Sequence, residues 1–299
     1  MMEGHPMPSP VPDGHVRGAL LPIGGAMDLQ RRRLILLRFF ELAGGSNARI
    51  VVIPTASELP DGGREYLEVF GKLGVASVEL LPVRERINAN DPAATEIIAQ
   101  ATGIFMTGGN QLKLTAVLGG TPVATAIRRA NARGVPVAGT SAGASAMSAH
   151  MIAYGAKGLV PRYGMVQFGP GLGLTNRVVL DQHFGARHRL GRLIAAVSFN
   201  PYLIGLGLDE NTAAEIDDDH LMQVIGEGSV TVVDGAGITY SNIHQLKVGQ
   251  KEAIVGVKLH VLTHGWSYDL IKREVIPPVV MPALPVAPSL EQPAADPEI

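Results

Sequence analysis

Between residues 18 and 139, short apolar runs alternate with amphipathic stretches. Residues 18–25 (GALLPIGG), 48–54 (ARIVVIP), 76–82, 103–107 (GIFMT) and 135–139 read as buried strands. Residues 28–43 show helical spacing, with Leu29, Leu36, Phe39 and Leu42 on one face. Residues 67–73, 111–118 and 124–133 read as helices, and Asp91 with Pro92 starts another that runs to 101. Parallel strands need crossover connections, and those crossovers cover the sheet. The rhythm therefore predicts an α/β fold: a doubly wound, mostly parallel sheet with helices on both faces. Residues 155–175 read as irregular and Gly-rich, and 178–180 and 203–208 resume the strand pattern. Alternation in 221–225, 229–233 and 253–261, with an Asp234-Gly235 turn signal, predicts a C-terminal antiparallel β extension.

The ends differ from this body. Residues 1–17 carry four prolines and 277–299 carry seven, a composition that favours extended polyproline segments. The expected organisation is a disordered N-terminal tail (1–17), one catalytic domain (18–276) and a Pro-rich C-terminal tail (277–299). The chain has no cysteine, which excludes disulfides, thiolate metal sites and a Cys nucleophile. Its 25 basic and 27 acidic residues leave no field to hold nucleic acid or an anionic membrane. No secretory signal and no run of about 18 apolar residues is present, so a cytoplasmic location is expected.

The chemistry concentrates in residues 135–147 (VPVAGTSAGASAM). Gly139-Thr140-Ser141-Ala142-Gly143 matches G-x-S-x-G after a strand and before a helix read as 144–152. Such a turn exposes the serine hydroxyl and needs small flanking residues, and the helix start offers free N–H groups to an oxyanion. A helix start chosen only for close packing reads the same way, and the strand–turn–helix setting favours the catalytic reading. A second glycine corner, Thr107-Gly108-Gly109-Asn110-Gln111, also ends a strand. Backbone N–H groups there join that of Ala142 as oxyanion candidates, although an ordinary turn is the simpler reading of the corner alone.

A serine nucleophile needs a base. Among nine histidines, His183 alone ends a strand with a charged context, Asp181 before it and Arg187, Arg189 and Arg192 after it. Those arginines are either a solvated helix face or a cationic wall for carboxylates. Asp209 and Glu210, at another strand end, are the candidate orienting acids. An α/β-hydrolase esterase would instead use Ser141, Asp209 and His264 in that order. A non-catalytic binding protein on the same scaffold is the third reading. No nucleotide-binding or metal-binding motif is found, and the acidic run 217–219 reads as a hairpin turn.

These blocks, in this order and spacing, resemble the cyanophycinases, within a serine peptidase family that also holds α-aspartyl dipeptidase (peptidase E). The resemblance spans residues 18–268. It implies a glutamine-amidotransferase-like α/β fold, a homodimer, and no metal or organic cofactor. It implies cleavage of cyanophycin, an arginine-decorated polyaspartate, to β-Asp-Arg dipeptides, or of α-aspartyl or isoaspartyl peptides in the alternative. Carried over, Ser141 is the nucleophile, His183 the base and Glu210 the orienting acid. Gly109, Asn110 and Ala142 would line the oxyanion hole. Gln111, Asp181, Gln182, Arg187, Arg189 and Arg192 would bind substrate. The family's glycine corner usually carries Asp where this chain has Asn110. That puts substrate affinity in question only if the acid's carboxylate, and not its backbone, does the work.

Overall fold

The computed structural model describes residues 7–218 and 220–279. Residues 1–6 and 280–299 of the two expected tails, and Asp219 of the acidic turn, lie outside the described residues. The first half of the chain is β1 (Leu20–Ile23), α1 (Leu34–Leu42), β2 (Arg49–Ile53), α2 (Arg64–Leu73), β3 (Ser77–Leu80), α3 (Pro92–Gln100), β4 (Gly103–Met106), α4 (Gln111–Leu118), α5 (Pro122–Ala132) and β5 (Val137–Thr140). A short turn of helix, α6 (Ala142–Ser145), leads into a hairpin, β6 (His150–Gly155) with β7 (Val166–Pro170). Then come β8 (Val178–Asp181), α7 (Leu190–Phe199), β9 (Ile204–Leu208), β10 (Thr212–Ile216), β11 (Leu221–Gly226) and β12 (Ser229–Asp234). The chain closes with β13 (Tyr240–Ser241), β14 (Ile254–Val255), β15 (Lys258–Thr263), β16 (Ser267–Asp269) and β17 (Glu274–Ile276).

The central sheet has nine strands in the order β17-β16-β11-β10-β1-β5-β4-β2-β3. From β1 to β3 every pairing is parallel, and from β10 to β17 every pairing is antiparallel. Both faces are covered, and alternation along the strands shows it. Leu21, Ile23, Ile50, Val52 and Phe105 face α1 and α2. Leu20, Val51, Ile53, Ile104 and Met106 face the layer of α3, α4 and α5. The doubly wound expectation and the C-terminal antiparallel extension are both met.

Local chemistry explains where the element bounds differ. Asp28 accepts from the N–H groups of Gln30, Arg31, Arg32 and Arg33 at 2.6–3.3 Å. That side-chain turn competes with the helix, so residues 28–33 stay outside it and α1 begins at Leu34. The helix expected over 144–152 ends at Ser145 instead. The carbonyls of Ala146 and Met147 accept from Leu172 and Leu174 at 2.7 and 2.9 Å, which pulls the chain into the β6–β7 hairpin. The region expected to be irregular, 155–175, thus contains β7.

β8 and β9 do not join the central sheet. They pair in parallel with each other and form a second sheet, in the order β15-β12-β9-β8. The free edge of β1 is taken by β10, antiparallel, with Leu20 opposite Ile216 and Ile23 opposite Ala213. The second sheet packs under α7 through Val179, Phe184, Leu193, Val197 and Val233. Residues 7–17 hold no helix or strand. The Arg17 side chain donates to Asn131 and to the Ser9 carbonyl there.

Phe105 sits between the layers, with ring centroids 5.8 Å from Phe39, 5.6 Å from Phe70 and 4.6 Å from Tyr66. It is fully buried. Phe105→Ala is expected to cost about 3–5 kcal/mol of stability, read as a lower denaturant midpoint.

Candidate active site

Ser141 follows β5 directly, with φ 51° and ψ −108°, a backbone state that non-glycine residues rarely hold. Its N–H donates to the Ile23 carbonyl at 2.9 Å, tying the turn to β1. A Cβ on Gly143 would lie 2.5 Å from the Met106 carbonyl oxygen, and one on Gly139 would lie 2.6 Å from that of Gly143. No side chain fits at either place, which accounts for the glycines of the motif. The turn therefore needs both neighbours to be bare backbone while it holds the serine outward.

Two further side chains reach this serine. Ser141 Oγ lies 3.0 Å from His183 Nε2, and His183 Nδ1 lies 2.6 Å from Glu210 Oε1. A carboxylate only accepts, so Nδ1 carries the proton and Nε2 is left to accept from the Ser141 hydroxyl. His183 follows β8 of the second sheet, and Glu210 lies in the connection from β9 to β10, where the chain crosses between sheets. The three groups therefore meet at the junction of the two sheets. Burial pushes the His183 imidazole below its ordinary pKa, Glu210 pulls it back, and the Arg187 and Arg189 charges depress it further. Glu210 is 43% exposed, so solvent screens its charge.

The corner that aligns them is Gly24-Gly25. The Gly24 carbonyl accepts from the His183 N–H at 2.7 Å, and the Gly25 carbonyl accepts from the Asn211 N–H at 2.8 Å. One loop thus clamps the backbone of the base and of the residue after the acid. Gly25 has φ 101°, and a Cβ there would lie 2.4 Å from His183 Nε2. Asp209 adds a brace: it accepts from Gly185 N–H at 2.9 Å and from the Ser229 hydroxyl at 2.6 Å. The sequence reading missed this Gly24-Gly25 corner. Its signal was present, a glycine pair directly after a strand, as at Gly108-Gly109.

The glycine corner after β4 stands beside the serine. A Cβ on Gly108 would lie 3.5 Å from the Ser141 Cβ. The N–H groups of Gly109 and Ala142 meet no acceptor among the described residues. Asn110 differs. Its N–H, expected to line the oxyanion hole, donates to the Ala56 carbonyl at 2.9 Å and so is engaged in this structure. Its side-chain oxygen caps α4, accepting from Leu112 and Lys113 at 2.9 and 3.2 Å. An aspartate would cap in the same way, so the exchange of Asp for Asn leaves this corner's geometry intact. A one-turn α6 also carries little macrodipole, so the local N–H groups matter more than a helix field.

The six residues expected to touch substrate separate into groups. Gln182 Oε1 is 3.4 Å from Ser141 Oγ. Gln111 Nε2 donates to the Ala153 carbonyl at 2.6 Å, facing the β6 backbone. Asp181 is 1% exposed and is ringed by arginines: Arg192 Nε at 2.6 Å, a second and shorter bond from Arg192 Nη2, and Arg189 Nη1 at 3.3 Å. Such a buried charge cluster is a scaffold as much as a binding wall. Arg187 alone of the six is exposed with a side chain that makes no hydrogen bond or ion pair among the described residues. The alternative set is not assembled. Asp209 braces Gly185 and Ser229, while His264 Nδ1 accepts from Gly226 N–H at 3.4 Å. Among the described residues no group of three or more His, Asp or Glu is placed to hold a metal. No helix there is long and apolar enough to cross a membrane.

Fold and constellation together define a serine-type hydrolase. The model of peptidase family S51 matches residues 20–224. A cyanophycinase of Trichormus variabilis is 42% identical over 264 residues, covering 87% of this chain and 88% of its own. A cyanophycinase of Geminocystis herdmanii is 40% identical over 257 residues, covering 85% and 94%. The crystal structure of a peptidase from an acI-B1 Actinobacterium superposes with a TM-score of 0.63 at 23% identity, over 86% of this chain and 98% of that one. That likeness speaks to the fold alone. The chain belongs to peptidase family S51.

Three outcomes follow for Ser141 labelling by a fluorophosphonate. Gly25→Ala should slow labelling by on the order of 10²-fold by displacing the base, with a lowered thermal midpoint because alanine is strained at this φ. The acid limb of the labelling rate should fall below the ordinary histidine pKa of about 6.5. Arg187→Ala should move that limb to higher pH, because removing a cation makes the imidazolium easier to form.

Proposed function

We propose that this chain hydrolyses cyanophycin to β-Asp-Arg dipeptides. The observation that carries the reading is the hydrogen-bonded chain Ser141–His183–Glu210, with links of 3.0 and 2.6 Å, in a chain 40–42% identical to cyanophycinases. Ser141 Oγ attacks the scissile backbone carbonyl while His183 Nε2 takes its proton. The tetrahedral oxyanion forms near the free N–H groups of Gly109 and Ala142. His183 returns the proton to the leaving amine, the C–N bond breaks, and an ester to Ser141 remains. Water, deprotonated by the same imidazole, then releases the acyl group and restores the serine. Glu210 holds the imidazole tautomer and stabilises the imidazolium throughout. In this reading Arg187 meets a substrate carboxylate, and Asp181 with Arg189 and Arg192 fixes the wall behind Gln182. A homodimer and a cytoplasmic setting belong to the same reading, and light scattering on purified protein tests the first.

Purified protein incubated with cyanophycin should release β-Asp-Arg. Turnover of α-aspartyl dipeptides with the polymer left intact would favour the dipeptidase reading instead. Ser141→Ala and His183→Ala should each lower kcat by roughly 10⁴–10⁶-fold with folding retained. Glu210→Gln should lose less than either, because water can reach the exposed edge of that carboxylate and take over part of its role.

A further inference from the structure

A cavity of about 1010 Å³ opens beside Ser141, with Gly25 and Ala26 also in its lining. One wall is the glycine corner 107–110, and the other is the segment 57–68, from the loop after β2 into α2. Four carboxylates line it, Glu58, Asp61, Glu65 and Glu68, against one arginine, Arg64. All five are exposed. Only Glu68 makes an ion pair among the described residues, a loose one with Lys72 at 4.0 Å. The sequence as a whole is close to neutral, so this wall is a local departure.

A second observation is independent of the acids. Tyr66 lines the same cavity and is 6% exposed, yet its hydroxyl has no hydrogen-bond partner among the described residues. Its ring packs on Phe105 with centroids 4.6 Å apart, which leaves the phenol hydroxyl as the part that meets the cavity. The ring is buried but its hydroxyl stays reachable from the cavity, so it is open to an arriving hydrogen-bond partner. Burial and the neighbouring Glu65 charge keep this phenol protonated, so it can both donate and accept. The wall is also pre-set. The Arg84 guanidinium donates to the carbonyls of Pro54, Ser57, Leu59, Pro60 and Gly62 at 3.2–3.5 Å, pinning the loop from within.

We propose that this cavity is a guanidinium subsite: it takes an arginine side chain of the substrate next to the bond that Ser141 attacks. The inference rests on the cyanophycin reading and extends it. A guanidinium is a planar cation with five N–H donors and no acceptor, so it suits several carboxylates and a phenol oxygen together. An anion or a free carboxylate is repelled by the same wall. Arg187 is not part of this lining, so the cationic and anionic parts of one substrate unit would meet different walls of the site.

The test uses full-length Ser141→Ala protein and calorimetric titration with Nα-acetyl-arginine amide, which has a guanidinium and no carboxylate. Nα-acetyl-citrulline amide is the neutral control. The arginine compound should bind and the citrulline compound should not. Asp61→Asn/Glu65→Gln should weaken binding by about tenfold or more, and Tyr66→Phe by a few-fold. Both carboxylates are exposed, and thermal midpoints check that each variant is folded. Equal binding of the two compounds, no binding of either, or an affinity unchanged in the double variant overturns the subsite. In the otherwise native enzyme the double variant should raise KM for cyanophycin while leaving kcat nearly unchanged. Cyanophycin hydrolysis with an unaltered KM sinks the subsite alone. Arginine-amide binding through Asp61 and Glu65 in a protein that leaves cyanophycin intact sinks the hydrolysis reading alone.

Discussion

Two backbone hydrogen bonds from one glycine corner hold the site together. The carbonyls of Gly24 and Gly25 fix the amides of His183 and Asn211, and the adjacent Ile23 carbonyl fixes the amide of Ser141. Three consecutive carbonyls, from the last residue of β1 onward, thus set the backbone beside nucleophile, base and acid. Backbone contacts are well suited to this work. They do not depend on rotamers, so the alignment survives side-chain motion. They also explain why His183 and Asn211 tolerate positive φ values of 48° and 49°: both ends of each turn are tied down.

Much of this was legible in the chain. The β-α rhythm of residues 18–139 predicts the parallel half of the sheet, because hydrophobic period and glycine turns report local structure well. The G-x-S-x-G elbow is legible because close backbone approach demands glycine whatever the distant context. His183 stands out through its strand end and its arginines. What stayed hidden depends on long-range pairing. Nothing in 178–208 says that these strands form a second sheet, since a strand reads the same whichever neighbour it finds. Nor does 144–152 reveal that carbonyls 146 and 147 are captured by residues 172 and 174. The role of Asn110 is an intermediate case. Its capping pattern is visible in sequence, but the use of its N–H by Ala56 is not.

The arginines after His183 show how charge in a sequence can mislead. They look like one cationic wall, yet two of them neutralise a buried aspartate and only Arg187 remains in solvent. The effective charge at the serine is therefore smaller on that side than a count of arginines suggests. The acidic segment 58–68 lines the cavity beside the serine. Its meaning comes from position, because the order β5-β4-β2 brings the end of β2 within one cavity of the serine.

The crossing at Glu210 carries a further consequence. The elbow belongs to the central sheet, whereas the base hangs from the second sheet and the acid from the connection that joins them. A chain whose central sheet has formed but whose second sheet has not yet docked owns a serine with nothing to deprotonate it. Hydrolytic power is therefore a property of the docked pair of sheets, and neither sheet by itself can cut a peptide.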